Sequence, residues 1–74
     1  MKLSELHPGE AGRIVSVSAD SRMRVRLLEM GLVPGTRVAL RSIAPSGDPM
    51  ELWLRGYALT LRRDEAGCVR VEQI

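Results

Sequence analysis

The sequence predicts a small, mainly β protein of about five antiparallel strands with one short α-helix. Short stretches of alternating apolar and polar residues recur along the 74 residues, separated by turns that contain glycine and proline. Only one stretch repeats its apolar residues at the helical period. The strands follow one another too closely for βαβ crossovers, which excludes a doubly wound parallel sheet. We therefore expect a small antiparallel barrel or a partly open sandwich.

The beginning of the chain predicts a short helical turn and then a strand. Leu3 and Leu6 are spaced three residues apart, which is enough for one helical turn. Residues 11–19 then alternate between apolar and polar side chains. In this strand we expect Ile14 on one face and Val15 and Val17 on the other.

A helix is predicted from about residue 21 to residue 30. Asp20 precedes it and can accept a hydrogen bond from an amide of the first turn. The apolar stripe at spacings i, i+4 and i+7 consists of Met23, Leu27 and Met30. A helix of this length depends on packing against the sheet.

A sharp corner follows the helix. Gly31 comes directly after the apolar stripe, where a left-handed residue would end the helix. Pro34 and Gly35 have the order typical of a type II turn, in which glycine supplies the positive φ. A strand over residues 36–43 then alternates regularly. These backbone constraints should set the angle between helix and sheet.

The second half of the chain predicts a hairpin and a final strand. Residues 44–49 are all turn formers, and the strands that follow meet at a turn around Arg55, Gly56 and Tyr57. The segment from residue 63 to residue 67 is too short for a packed helix and predicts one 3₁₀ turn. The remaining predicted strands cover residues 50–54, 57–62 and 68–74.

The composition indicates a single domain, residues 1–74, in the cytoplasm. Cys68 is the only cysteine, which favours a reducing compartment, and the first ten residues contain no apolar run of the kind found in a signal peptide. The formal charge of +2 combines 11 basic with 9 acidic residues, and ten of the basic residues are arginine. This balance is too mild for a typical nucleic-acid-binding face.

The sequence contains no set of residues for catalysis or for metal binding. His7 is the only histidine, and neither it nor Cys68 lies in a spacing used by metal sites. We interpret His7 as a turn residue and Cys68 as a small apolar residue. No glycine-rich phosphate loop is present, and no serine has an evident base. We therefore expect neither a cofactor nor enzyme activity.

Two surfaces remain as candidate partner-binding sites. The first is the exposed side of the helix and its exit, formed by Arg22, Arg26, Glu29, Leu32 and Val33. Arginine is enriched at protein interfaces, so this face could bind a polar or acidic partner, although it could equally be a solvated helix face. Leu32 could also simply close the end of the helix by contacting its last turn.

The second candidate surface contains the only two aromatic residues. Trp53 alternates with the apolar residues of its strand and should face away from the core, beside Arg55 and near Tyr57. An outward Trp can bind a peptide, as in many SH3-like barrels. Alternatively, it covers the outer face of the sheet.

Stretches over nearly the whole chain match a known family, in order and with their spacings intact: Leu3–Gly12, Arg26–Thr36, Ala44–Pro49, Arg55–Arg62, Glu65–Ala66 and Val69–Val71. Together they resemble the FeoA family of bacterial ferrous iron transport proteins. The resemblance implies an SH3-like barrel in the cytoplasm that assists FeoB, a membrane transporter with a cytosolic GTP-binding domain. A similar domain ends some metal-dependent repressors. Metal binding is often attached to this family, but no residue here can be matched to such a ligand.

The leading hypothesis is therefore an accessory protein of ferrous iron uptake that binds a FeoB-type transporter through its cytosolic domain or tail. One alternative is a small nucleic-acid-binding barrel, suggested by the arginines but disfavoured by the interspersed acids and the two aromatics. Another is a metal-responsive regulatory module.

Overall fold

The computed structural model describes residues 1–74 and contains five strands, two α-helices and one 3₁₀ turn. The predicted order and type of the main elements are confirmed. The 3₁₀ turn is Leu3–Glu5. The other elements are β1 (Ala11–Val17), α1 (Ser21–Glu29), β2 (Arg37–Ile43), β3 (Met50–Leu54), β4 (Tyr57–Leu61), α2 (Arg63–Ala66) and β5 (Val69–Gln73).

All five strands belong to one antiparallel sheet with the order β4-β3-β2-β1-β5. Each strand buries one face in a single apolar core, to which α1 contributes Leu27 and the 3₁₀ turn contributes Leu3. The two end strands, β4 and β5, are not hydrogen-bonded to each other. The sheet thus curves around its core but stays open along one side.

A β-bulge in β1 overturns the predicted facing of its residues. The register of β1 against β5 shifts between Ile14 and Ser16, so Val15 is an extra residue in the strand. The alternation restarts after it, and Ile14 and Val17 both enter the core, whereas Val15 is 44% exposed. The expectation that Val15 and Val17 share a face is wrong for this reason.

Helix α1 begins at Ser21, as predicted, and ends at Glu29, one residue before the predicted end. The predicted signals operate at both ends. The Asp20 carboxylate accepts a hydrogen bond from the Met23 amide at 2.9 Å. At the other end, Gly31 has a φ of 102°, and the Leu32 amide donates to the Leu27 carbonyl at 3.2 Å. This pair of features is a Schellman motif, which satisfies carbonyls that the helix leaves free.

The corner after α1 contains the predicted tight turn. The Thr36 amide donates to the Val33 carbonyl at 3.1 Å, and Gly35 has a φ of 92°. With Pro34 in the second position, this geometry is that of a type II turn. The turn leads α1 into β2, where Val38 and Leu40 are buried.

Residues 63–66 form an α-helix that packs, in contrast to the predicted isolated 3₁₀ turn. The Glu65 carboxylate caps the helix by accepting from the Arg62 amide at 2.9 Å. Ala66 is completely buried, and α2 contacts the 3₁₀ turn at the beginning of the chain. A neighbouring element that is distant in sequence therefore stabilises a helix too short to form alone.

The hairpin of β3 and β4 is closed by a two-residue turn. Arg55 and Gly56 both have positive φ, 49° and 84°, as a type I′ turn requires. Arg55 is the only residue other than glycine with a positive φ in the structure. Neither α1 nor α2 has the length and apolar character needed to cross a lipid bilayer.

Candidate partner-binding surface

One face of α1 carries three charged side chains from the predicted surface. Arg22, Arg26 and Glu29 are spaced i, i+4 and i+7, so they lie on the same side of the helix, and all three are exposed. Only Arg26 has an ion-pair partner, the Glu65 carboxylate of α2. Arg22 and Glu29 thus remain available to a partner.

Glu65 is a residue that the sequence-based prediction missed. Its side chain is 6% exposed, and its two oxygens have separate partners. One accepts from the Arg62 amide at 2.9 Å, and the other lies 3.0 Å from the Arg26 guanidinium. The contact with α1 depends on how the two helices pack, which no local pattern contains.

Two other residues from the helix exit are less accessible than predicted. Leu32 is 0% exposed and belongs to the core cluster, so its assignment to a partner-binding surface is wrong. The Schellman motif explains its position, because the residue after the C-terminal glycine commonly packs back onto the helix. Val33 is half-buried.

Trp53 and Tyr57 are both exposed, at 41% and 40%, but they lie on opposite faces of the sheet. Trp53 is paired with Ala58 on the outer face, whereas Tyr57 is paired with the buried Leu54. From there the Tyr57 hydroxyl donates to the Met30 carbonyl at the end of α1. Tyr57 therefore joins β4 to α1, and the two aromatics do not form a common surface.

Trp53 has a cationic neighbour, but it is Arg41 rather than Arg55. The Arg41 guanidinium carbon lies 5.1 Å from the centroid of the Trp53 ring, within the range of a cation–π contact. Arg41 is the extra residue of a β-bulge in β2, which the sequence alternation does not reveal. The Arg55 guanidinium instead donates to the buried Thr36 hydroxyl oxygen at 3.0 Å.

A polar cleft of about 400 Å³ lies beside the end of β4. It is bordered by α1, α2 and the loop before β3, and the Arg26–Glu65 pair forms part of its lining. Its lining residues are Arg26, Asp48, Pro49, Thr60, Arg62 and Glu65. A shallower depression beside Trp53 is lined by Gly9, Ala39, Leu40 and Arg41. The first suits a charged ligand group and the second an apolar one.

The structure brings together no group of three or more His, Cys, Asp or Glu side chains that could hold a metal ion. The imidazole of His7 is largely exposed and lies 3.2 Å from Glu10. The Cys68 thiol donates to the Asp64 carbonyl at 3.5 Å. His7 thus lies in a turn beside one carboxylate, and Cys68 is half-buried at the beginning of β5.

The turn at His7 predicts a pH dependence centred on Glu10. The His7 amide donates to the Glu10 carboxylate at 2.7 Å, and this bond holds the pKa of Glu10 below its ordinary value of 4.5. Because folding lowers this pKa, its contribution to stability is present near neutral pH and is lost as the pH falls through the folded pKa. We expect the carboxyl carbon of Glu10 to titrate below pH 4.5 in an NMR experiment. A Glu10→Gln variant should lose less stability on acidification than the parent. A titration midpoint of the Glu10 carboxyl carbon at or above pH 4.5 would contradict this assignment.

A comparison with family models assigns residues 1–73 to the FeoA domain. The chain is 40% identical over its whole length to part of a Fe(2+) transport protein A/Fe(2+) transporter FeoB fusion protein of Porphyromonas gingivalis. It covers 9% of the length of that fusion protein.

Solved structures show the same fold. The FeoA protein of Chlorobium tepidum matches with a TM-score of 0.92 and 42% identity, over 100% of this chain and 70% of that one. The zinc complex of Stenotrophomonas maltophilia FeoA, a prokaryotic SH3 domain protein, matches with a TM-score of 0.86 and 32% identity, over 97% and 89% of the two chains. The predicted SH3-like fold is therefore confirmed.

The predicted relationship to metal-dependent repressors is confirmed at the level of the fold. A manganese-dependent transcriptional repressor matches with a TM-score of 0.90 over 99% of this chain and 40% of the repressor, at 16% identity. Such a low identity supports a shared fold and no shared activity. The family-model match and the well-covered FeoA structures go further: the chain belongs to the FeoA domain family, which is associated with ferrous iron transport.

Proposed function

We propose that this protein is a non-enzymatic accessory of ferrous iron uptake that acts by binding a FeoB-type transporter on the cytoplasmic side. Residues 1–74 would act as one FeoA domain, without a cofactor. The observation that carries the proposal is the Porphyromonas gingivalis fusion, in which a domain 40% identical to this chain is covalently joined to the transporter.

The fusion supports binding because a covalent link raises the effective concentration of one module near the other. A domain that contacts its transporter within one polypeptide can make the same contacts as a separate protein. The separate protein binds more weakly, because it lacks the covalent link. The Stenotrophomonas maltophilia protein is described in similar terms, as a candidate ferrous iron transport activating factor.

The exposed charges of α1 and the outer face near Trp53 are the surfaces that we assign to this partner. The residues retained from the sequence-based prediction are Arg22, Arg26, Glu29, Val33, Trp53, Arg55 and Tyr57. Arg26, Arg55 and Tyr57 each have an intramolecular partner, so they also hold the surface in place. Arg22, Glu29 and Trp53 are the side chains most available for contact.

Binding to the cognate transporter tests the proposal. The whole chain is titrated into the detergent-solubilised transporter, and separately into its cytosolic GTP-binding domain, with and without GTP, in a calorimeter. We expect a saturable one-to-one complex at micromolar concentrations. The corresponding Porphyromonas gingivalis domain and the remainder of its own fusion protein serve as the positive control. Absence of any complex, with either nucleotide state, while the control pair binds would overturn the proposal.

A further inference from the structure

Strand β4 is an open edge of the sheet. It is hydrogen-bonded to β3 on one side and is the last strand in the sheet order. The other end strand, β5, is partly covered by the first two residues of the chain, since Met1 and Val71 exchange two backbone hydrogen bonds and Lys2 bridges Arg70. No backbone segment covers β4 in this way.

The register of the hairpin determines which backbone groups of β4 point outward. In a two-residue hairpin the closing pair, here Leu54 and Tyr57, is hydrogen-bonded, and hydrogen-bonded and non-bonded pairs then alternate. Ala58 and Thr60 occupy non-bonded pairs, so their N–H and C=O groups point away from β3. Neither residue makes a backbone hydrogen bond outside the strand ladder, and both are exposed.

The side chains of β4 do not protect this edge. Exposed edges are commonly blocked by lysine, proline or a bulge. The sequence Tyr-Ala-Leu-Thr-Leu of β4 contains no charge and no proline, and its pairing with β3 has no register shift. The edge can therefore accept an additional strand.

The charges around the edge decide between a second copy of this chain and a different partner. Arg55 lies at one end of β4, and Arg62 and Arg63 lie at the other. Antiparallel pairing of two β4 strands would bring these like charges together, which is unfavourable. The nearby carboxylates already have partners. Asp48 accepts from the Arg63 amide at 3.0 Å, and Glu65 is buried against α1. Glu51, which is paired with Thr60 across the hairpin, lies 3.8 Å from the Arg41 guanidinium.

The polar cleft gives the same edge a place for an acidic side chain. Thr60 and Arg62 of the β4 side and Arg26 of α1 line it together. Both arginines are exposed, and Arg26 is paired with Glu65, whereas Arg62 has no ion-pair partner. A carboxylate entering beside Thr60 would therefore pair with Arg62 and lie near Arg26, in the charge-assisted geometry that arginine favours.

We infer that an extended acidic segment of a partner protein binds as a sixth strand along β4 and places a carboxylate in the cleft between Arg26 and Arg62. This mode is β-augmentation, in which backbone hydrogen bonds give affinity and side-chain sites give specificity. The inference rests on the proposed function, since it adds a strand-pairing site to that protein–protein contact, next to the assigned surface and sharing Arg26 with it.

A model peptide tests the inference without the transporter. A synthetic octapeptide of alternating glutamate and valine is titrated into the ¹⁵N-labelled chain, with the lysine–valine counterpart as the control. We expect the acidic peptide to shift the Ala58 and Thr60 amides and to slow their hydrogen exchange, and the basic peptide to do neither. Unchanged Ala58 and Thr60 amides would overturn the inference, whatever the transporter does.

Two matched pairs of variants of this chain then test the contact, and the binding of each variant to the acidic peptide and to the transporter is measured. Ala58→Pro removes an outward N–H and should weaken binding about tenfold, whereas Ala58→Thr keeps the N–H and should bind normally. Arg62→Gln should weaken binding about tenfold and reduce its salt dependence, whereas Arg70→Gln on β5 should not. Equal affinities within each pair would overturn the inference.

The remaining outcomes separate the two proposals. If the peptide binds at β4 and the transporter does not bind at all, the proposed function fails and the edge site stands. If the transporter binds equally well to the parent and to Ala58→Pro, the proposed function stands and the edge site fails. Dimers of the chain alone, detected by sedimentation and abolished by Ala58→Pro, would show that the edge takes a second copy and would contradict the acidic segment.

Discussion

Replacement of Gly31 by valine is expected to lower the free energy of unfolding by about 2–6 kcal/mol. Gly31 has a φ of 102°, a conformation that costs a β-branched residue about 1–3 kcal/mol. In addition, a Cβ atom at this position would overlap the Tyr57 hydroxyl oxygen, and such overpacking typically costs about 1–3 kcal/mol. Chemical denaturation with circular dichroism measures the change. A loss of less than about 1 kcal/mol would contradict the described end of the helix.

A double-mutant cycle separates the two causes. Tyr57→Phe removes the hydroxyl group that a side chain at position 31 would meet, along with its hydrogen bond to the Met30 carbonyl. We expect Gly31→Ala to cost about 1 kcal/mol less in the Tyr57→Phe background than in the parent. The backbone strain at position 31 should be the same in the parent and in the Tyr57→Phe background. Gly35→Ala is the control, because Gly35 also has a positive φ but has no atom near its Cβ position. An identical cost of Gly31→Ala in the two backgrounds would assign the whole effect to the backbone.

Glu65→Ala is expected to destabilise the protein by about 2–3 kcal/mol. The buried carboxylate caps α2 through the Arg62 amide and pairs with Arg26 of α1. Removal deletes one charge-assisted hydrogen bond and one ion pair, and it leaves the Arg62 amide without its partner. Glu65→Gln should cost less, about 1 kcal/mol, because its amide oxygen can still accept from the Arg62 amide. Thermal unfolding at constant pH compares the three proteins.

The Arg26 contribution can be isolated in the same way. Arg26→Ala alone should cost less than Glu65→Ala, because the deleted side chain is 61% exposed and the Glu65 carboxylate keeps its hydrogen bond from the Arg62 amide. The two substitutions should be non-additive, with a coupling of about 0.5–1 kcal/mol. Arg22→Ala, one turn earlier on the same helix face, should show no coupling to Glu65. Full additivity of Arg26→Ala and Glu65→Ala would show that the ion pair contributes no stability.

The fold was largely predictable because each main element carries its own local pattern. The helix has a capping residue, an apolar stripe and a terminal glycine, and the predicted span of about 21–30 compares with Ser21–Glu29 in the structure. The hairpin has clear alternation on both sides of a glycine-containing turn. The errors occur where long-range contacts override local pattern. The bulge at Val15 depends on pairing with β5, and the four-residue α2 depends on packing against the beginning of the chain.

The candidate surface was less predictable, for a related reason. Alternation correctly placed Trp53 on the outer face, but its neighbour Arg41 comes from another strand through a bulge. Tyr57 was grouped with Trp53 by proximity in sequence, although the two-residue turn reverses the chain and directs Tyr57 to the other face. The buried Glu65 and the open edge at Ala58 and Thr60 follow from strand order and helix packing, which a single sequence does not display.

The contact between Met1 and Val71 has a consequence for how this fold can be used in larger proteins. Both backbone bonds between these residues hold the beginning of the chain against β5, and the Ile74 amide donates to the Ala11 carbonyl of β1, so both ends of the chain are bonded to these two strands. The acceptor edge at β4 is the other end strand of the sheet. Neither terminus is therefore hydrogen-bonded to β4, and a genetic fusion at either end extends from a residue bonded to β1 or β5. The fold can therefore be joined to a much longer polypeptide through residues bonded to β1 or β5, while β4 stays available for pairing.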